Sequence, residues 1–371
     1  MRFVLISHVL HSRQGDRWFA YGPYVREMNL WGKHVSFVEV VAPVVKAAPT
    51  AIQTAYSASE ITLTKVSAFS FISVSEALRA LYRIPVNFVK IIHAMRRADH
   101  IHLRCPGNMG LLGCMVQVFF PKTPKSAKYA GNWDPKARQP LSYRLQKWIL
   151  GNTFLTRNMK VLVYGDWPRQ SKNIVPFFTA SYSEIKKQDS PKKLFNPPWQ
   201  FLFVGSLTPG KRPLYAIQLV DKLQHRGIAV RLDIYGEGPE RSTLETFIKN
   251  RELGDIVRLH GNQNSESIEE AYRNSHFLML PSKSEGWPKV IAEMMFYAGI
   301  AIATPVSCVP WMLDQGARGI LLRAPLDQDA EKISTLLERP EQLNSMSESA
   351  AAWSRQYTLE AFEKAIKEIL K

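Results

Sequence analysis

Two carboxylates, Glu285 and Glu293, stand eight positions apart around a Gly286-Trp287-Pro288 turn. An apolar run at 277–280 precedes them, and a helical stretch to Gly299 and a second apolar run at 300–303 follow. That order predicts strand, loop, helix, strand. Proline at the first helical position forfeits no hydrogen bond, so Pro288 is expected there. Gly299 suits a left-handed residue just past the helix end. Glu285 then lies in the loop and Glu293 about two turns into the helix. A helix N-terminus offers unpaired N–H groups and a positive dipole end. Beside two carboxylates, this is chemistry for a phosphorylated ligand whose hydroxyls are read by hydrogen bonds.

Three upstream loops can complete such a site. The first runs Val204-Gly205-Ser206-Leu207-Thr208-Pro209-Gly210-Lys211-Arg212-Pro213. Gly205 lets backbone approach a ligand, and Lys211 and Arg212 can neutralise a diphosphate. Two solvated cations in an ordinary strand-to-helix turn are the plain alternative. The second loop, Gly236-Glu237-Gly238-Pro239, follows a strand but lacks the third glycine of a dinucleotide fingerprint. The third, Gly261-Asn262-Gln263, can meet a nucleobase or be plain turn chemistry.

Apolar runs at 3–6, 34–41, 100–103, 127–130, 161–164 and 174–178 alternate with helical patterns, including 75–97 and 142–150. The pattern restarts with strands at 201–204, 231–235, 257–260, 277–280 and 300–303, with helices at 213–225 and 241–250 between them. Such alternation predicts two α/β domains with parallel sheets. Charge, Ser and Pro cluster at 184–199, read as a linker between a domain at 1–183 and one at 200–354. The amphipathic C-terminal stretch, 355–371, either caps the second domain or packs back on the first. Two such domains are expected to face one another across a cleft, with ligands at the carboxyl ends of the strands.

The order of these motifs resembles glycosyltransferase family 4: Val-Gly with a lysine following, Gly-x-Gly-Pro, His-Gly, then Pro-Ser-x-x-Glu-Gly-aromatic-Pro-x-Val-x-x-Glu. The resemblance covers roughly residues 200–325 and is weaker in the first half. It implies the GT-B fold, two Rossmann-like α/β domains, and a retaining enzyme with no essential metal. It implies that Glu293 accepts from ribose hydroxyls, that Glu285 orients the donor sugar, and that Lys211 binds the diphosphate, which Gly205 admits. Backbone N–H groups of Gly286, Trp287, Lys289 and Val290 would line sugar and diphosphate. Gly236, Gly261 and Gln263 would complete the donor site.

The chain departs from that family's pattern in several places. Ser206 stands where the family often has Arg, a place Arg212 can take. Ser307-Cys308-Val309-Pro310-Trp311 replaces a Gly-Gly-x-Pro-Glu segment. A first-domain histidine facing the donor sugar is missing, and Asn132 or Asp134 is expected in its place. Gly15 and Asp16 form a reduced first loop near the acceptor. His102 and Arg104 end a strand and are expected to face the acceptor, although a strand histidine is more often structural.

The 371 residues carry a net charge of +16. Residues 1–183 hold 24 Lys+Arg against 8 Asp+Glu, and residues 184–371 hold 24 against 24, so the whole excess lies in the first half. That asymmetry suits an anionic partner for the first half. Basic amphipathic stretches at 75–97 and 138–147 suit an anionic membrane surface; core-facing helices with a solvated basic face are the alternative. A nucleic-acid binder would explain the charge but not the acidic pair, so no nucleic acid is expected. No apolar run reaches the length of a membrane span. The run at 3–6 is too short for a signal peptide, and the three cysteines are scattered. A cytoplasmic protein is therefore expected, with a place at the inner membrane face the reading that goes with lipid-facing basic helices. The partners are a UDP- or GDP-sugar and a glycan or lipid-linked saccharide, in cell-surface polysaccharide assembly by family analogy. A nucleotide-sugar epimerase and a non-catalytic homologue scaffolding a polysaccharide complex are the alternatives.

Overall fold

The computed structural model of the protein describes residues 1–50, 52–58, 60–69, 74–188, 193–323 and 325–371. They divide into two compact units, Met1–Phe177 with Glu363–Lys371, and Phe178–Phe362.

In chain order the first unit contains β1 (Arg2–Ile6), β2 (Ser12–Gln14), β3 (Arg17–Tyr21), α1 (Gly22–Gly32), β4 (Phe37–Pro43), β5 (Gln53–Ala55), β6 (Ile61–Val66), α2 (Val74–Met95), β7 (His100–Cys105), α3 (Asn108–Val116), β8 (Lys125–Tyr129), α4 (Leu141–Gly151), β9 (Met159–Tyr164) and β10 (Ile174–Phe177). Seven strands form a parallel sheet in the order β10-β9-β8-β7-β1-β4-β6. Its central strands are covered on both faces; β1 reads as an apolar run, whereas β7 and β8 bury His100, His102, Lys125 and Lys128. Ile91 and Met95 of α2, Met109 and Leu112 of α3, and Ile149 and Leu150 of α4 share one core with Val4, Ile6, Leu103 and Val161 of the sheet. On the other face Trp31 of α1 packs against Phe3 and His102.

The second unit contains β11 (Trp199–Val204), α5 (Pro213–His225), β12 (Val230–Tyr235), α6 (Arg241–Asn250), β13 (Val257–Gly261), α7 (Ser265–Asn274), β14 (Phe277–Leu280), α8 (Lys289–Phe296), β15 (Ile300–Ala303), α9 (Val309–Met312), β16 (Gly319–Leu321), α10 (Leu326–Leu337) and α11 (Pro340–Ser354). Its six parallel strands run β13-β12-β11-β14-β15-β16. The last helix, α12 (Leu359–Leu370), begins in the second unit, where Phe362 packs on Phe178. Its residues from Glu363 on count with the first unit. There Glu363 accepts from Lys33 and His34, and the Lys160 ammonium donates to the Glu368 carbonyl.

Three expectations change. The unit boundary falls at Phe177 rather than 183. Residues 193–199 are no free linker: Phe195 and Trp199 enter the second core, and buried Lys193 donates to the Tyr272 and Arg273 carbonyls. The strand expected at 34–41 starts at Phe37, because the last turn of α1 holds Lys33 and His34 through the Asn29 and Trp31 carbonyls. A small antiparallel sheet, β2-β3-β5, was not expected at all.

Candidate active site

In the second unit the chain runs outward from β11 through β12 to β13, then returns to β14 and runs the other way. Neighbouring loops therefore leave the carboxyl ends of β11 and β14 in different directions and open a crevice, the place where open parallel sheets bind ligands. Lys211 stands on the loop after β11 and Glu285 on the loop after β14. Their side chains meet across this switch point, with the Lys211 ammonium 2.5 Å from Glu285 Oε1. The lysine is partly exposed and the carboxylate nearly buried. A cation held here by one carboxylate is poised to exchange it for phosphate oxygens.

Glycines line the carboxyl ends of three adjacent strands. The Gly205 N–H donates to the Tyr235 carbonyl, and the Gly236 N–H to the Gly261 carbonyl. Gly236 has φ +141°, and a Cβ there would lie 1.9 Å from the Gly205 carbonyl oxygen. A Cβ on Gly238 would lie 2.4 Å from the Leu207 carbonyl oxygen. These two glycines are therefore needed to pack one loop on the next. Gly205 differs: a Cβ there meets nothing closer than the Phe203 ring at 3.8 Å. Internal packing does not require a glycine at 205, which suits close approach of a ligand.

The helix α8 starts at Lys289, with Pro288 as its N-cap and not its first residue. The N–H groups of Lys289 and Val290 open the helix, and that of Ile291 already bonds to the Pro288 carbonyl. At the far end Ala298, not Gly299, is left-handed, at φ +58°. Gly299 is glycine for another reason: a Cβ would collide with the buried Met294 side chain, 2.2 Å from its Cε. The loop before α8 is braced from behind. The Ser307 hydroxyl and Cys308 thiol both donate to the Gly286 carbonyl, each at 3.2 Å. Burial pushes the Cys308 thiol up to about 12, so it stays a neutral donor. Trp287 is buried among Trp311, Trp353 and Tyr357. The departure at Trp311 thus has a packing explanation, and the contribution of Trp287 to any ligand is through its backbone.

Glu293 turns to Ser181 and Tyr272. Its Oε1 accepts from the Ser181 hydroxyl at 2.5 Å and its Oε2 from the Tyr272 hydroxyl at 2.8 Å. Burial, and then the Glu293 charge, push the Tyr272 phenol well above its ordinary value and keep it a donor. The sequence offered no signal for either partner, since both lie far from the motif. Arg212 takes a left-handed conformation at the start of α5, with its guanidinium over the Tyr215 ring. Ser206 is exposed. The Gln263 amide donates back to the His260 carbonyl and borders a polar groove of about 650 Å³ that also holds Tyr235, His260 and Asp233.

In the first unit the switch point falls between β1 and β7. His8 follows β1 and sits against Gly107, where a Cβ would lie 2.8 Å from its Nδ1. Sequence reasoning passed over His8, whose only signal was a polar residue at the end of the first apolar run. Arg104 is bound to Glu27 at 2.6 Å, and the same carboxylate takes fully buried Lys128 at 3.0 Å. Burial alone would raise the Glu27 pKa, but the Arg104 and Lys128 charges prevail and hold it at about 2. His102 corrects an expectation. It is fully buried, bonded to the Ser126 hydroxyl and packed on Phe3, so it faces the core and no ligand. Burial and then Arg104 hold its pKa well below the ordinary histidine value. Asn132 and Asp134 shape their own loop: the Asn132 side chain accepts from the Asp134 N–H, and Asp134 from the Lys136 N–H. Gly15, at φ +59°, and Asp16 form the exposed turn between β2 and β3.

Both units are doubly wound Rossmann-like α/β units, and the fold is GT-B. Over its whole length the chain is similar to HepE of Anabaena, solved in complex with UDP, at a TM-score of 0.67 and 14% identity, covering 100% of this chain and 99% of that one. Residues 184–353 match the family of glycosyl transferases group 1, a span that holds every residue expected on the donor side. Over 153 residues the chain is 32% identical to an alpha-D-kanosaminyltransferase of Streptomyces kanamyceticus, covering 40% of this chain and 39% of the relative. It is 27% identical over 146 residues to the putative colanic acid biosynthesis glycosyltransferase WcaL of Salmonella typhimurium, covering 38% and 35%. The matched stretches thus span well under half the length of these relatives.

Proposed function

We propose that the chain is a retaining glycosyltransferase of the family 4 kind, acting in the cytoplasm, which moves a sugar from a UDP- or GDP-sugar to a glycan or lipid-linked saccharide of a cell-surface polysaccharide. The observation that carries this reading is the Lys211–Glu285 pair across the switch point of the second sheet, beside Gly205 and the start of α8. The UDP in HepE and the polysaccharide context in the name of WcaL support the donor and the pathway class.

In this reading Lys211 leaves Glu285 for the diphosphate. The ammonium and the Lys289 and Val290 N–H groups then face the charge that grows on the leaving phosphate oxygen, the term that most lowers such a barrier. Glu285, released, accepts from the hydroxyls of the donor sugar and fixes the ring. Glu293, held by Ser181 and Tyr272, keeps lone pairs for the ribose hydroxyls. The bond from C1 to the phosphate oxygen breaks, and a bond from C1 to the acceptor oxygen forms on the same face. The acceptor proton passes to the departing diphosphate, so no protein base and no metal is required. In this reading the loop carrying Asn132 and Asp134 is assigned to acceptor recognition.

A thermal-shift panel of UDP, GDP, ADP and their sugars tests the donor half. One nucleotide is expected to raise the melting temperature well beyond the others by mass action. Proton NMR of the sugar released on slow donor hydrolysis tests retention, and an inverted anomer as first product would refute it.

A further inference from the structure

An all-parallel sheet is ordinarily covered on both faces, and its strands are then apolar throughout. In the second unit β14 and β15 follow this rule and are buried at every residue. The strand β12 does not. Its Val230, Leu232 and Ile234 enter the core, whereas Arg231, Asp233 and Tyr235 alternate with them and lie on the opposite face. His260 of β13 joins them there, and α7 flanks them. Between these strands and α7 runs the polar groove of about 650 Å³, within the range of about 300–1,000 Å³ common to small-ligand sites. It follows β12 from Arg231 to Tyr235, about 13 Å at the rise of an extended strand, which is room for more than one sugar ring.

The lining is of mixed sign and built around one aromatic pair. Asp233 Oδ1 lies 2.5 Å from His260 Nε2. The His260 ring stacks on Tyr235, with centroids 4.4 Å apart and planes 8° from parallel. Burial, and then the Asp233 and Glu270 charges, raise the Tyr235 phenol above its ordinary value and keep it a neutral donor. Glu270 and Asn274, one turn apart on α7, form the facing wall and are exposed. Neither Lys211 nor Glu285 lines this groove, and of the residues expected on the donor side only Gln263 borders it.

We propose that this groove is a second saccharide site, which holds a stretch of an uncharged glycan chain away from the donor crevice. An aromatic face suits the C–H side of a sugar ring, because its π cloud is negative and those hydrogens carry partial positive charge. Carboxylate, amide and guanidinium groups around it suit hydroxyls, which both donate and accept. A polyanionic chain would be set against Asp233 and Glu270, and an apolar peptide would find mainly polar groups to desolvate. The inference rests on the reading of the chain as a glycosyltransferase of polysaccharide assembly, which supplies the reason for a glycan to be held.

The test is saturation-transfer NMR of the full chain with neutral malto-, cello- and galacto-oligosaccharides, and with hyaluronan oligosaccharides as the acidic counterpart. At least one neutral chain is expected to bind, and the acidic one is not. Glu270→Ala with Asn274→Ala is expected to weaken that binding about tenfold, since two side-chain contacts are lost. Tyr235→Leu, which removes the aromatic face, should weaken it at least as much. If Tyr235→Leu lowers the melting temperature, the exposed pair on α7 decides. The proposal is overturned if no neutral oligosaccharide binds, if neither variant alters the binding, or if the acidic chain is preferred. UDP and GDP titrated into the same samples keep the two readings apart. Nucleotide binding without oligosaccharide binding overturns the groove and spares the proposed function. Oligosaccharide binding that the variants lose, in a chain that takes neither nucleotide, supports the groove and counts against the proposed function.

Discussion

The two units place charge at the carboxyl ends of similar sheets and use it differently. In the second, Lys211 and Glu285 pair at the rim, with the lysine still reachable from solvent. In the first, Glu27, Arg104 and Lys128 pair deeper, with Lys128 fully buried and the other two nearly so. A rim pair can change partners when a charged ligand arrives. A buried triad cannot be opened without leaving a charge unpaired in a poor solvent. The second unit's charges are thus suited to recognition, and the first unit's to fixing α1 against β7 and β8.

The largest effect that sharpens this contrast is on stability. Glu27→Gln leaves two cations buried without their anion, and urea unfolding is expected to show a loss of about 3–5 kcal/mol. Nucleotide affinity of the folded fraction should stay as in the wild type. A loss below about 1 kcal/mol would mean that the triad is no structural anchor.

Acid should separate the units next. Burial holds the His11 and His100 pKa values at about 4, and that of His102 well below its ordinary value, all in the first unit. The folded state then binds fewer protons than the unfolded chain, so stability is complete above about pH 6.5 and is lost as pH falls toward 4. The slope approaches about 1.4 kcal/mol per pH unit for each histidine. In the second unit burial and then Lys193 hold the His276 pKa at about 4. Hydrogen exchange followed from pH 7 to pH 5 should show protection falling first in β1 and β7. Equal loss in both units would break the comparison.

Gly205 and Gly236 give the smallest and most local contrast. Gly205→Ala should fold normally and weaken nucleotide binding about tenfold, since its Cβ meets only Phe203 inside the protein but would face the ligand. Gly236→Ala should lower the melting temperature instead, because its Cβ strikes the Gly205 carbonyl. Titration and melting of the two variants distinguish these cases.

Much of the second unit was legible in the sequence. Buried parallel strands read as apolar runs, and α5, α6 and β14 fall where expected because Gly and Pro punctuate them. Lys211 and Glu285 were identifiable by type and by position after strands, although their direct pairing was not. The first unit was harder to read. A lysine inside β8 and a glutamate inside α1 look like solvated charges, and only the fold brings Glu27 to Lys128. The same limit applies to α4, for which the sequence left a membrane-facing and a core-facing reading open; Leu141, Leu145 and Trp148 lie on its outward face. Glu293 was correctly placed on α8, but its partners Ser181 and Tyr272 come from elements that no local pattern connects to it. Gly299 misled because a glycine after a helix usually signals a left-handed turn, whereas here it makes room for Met294.

In the proposed function the Lys211–Glu285 crevice holds a nucleoside diphosphate. Isothermal titration of UDP and GDP into wild type and Lys211→Ala tests it directly. One nucleotide should bind the wild type, and the variant should bind it about a hundredfold more weakly, because a charge-assisted contact to phosphate is lost. If Lys211→Ala binds that nucleotide as tightly as the wild type does, the pair is structural and the donor site lies elsewhere.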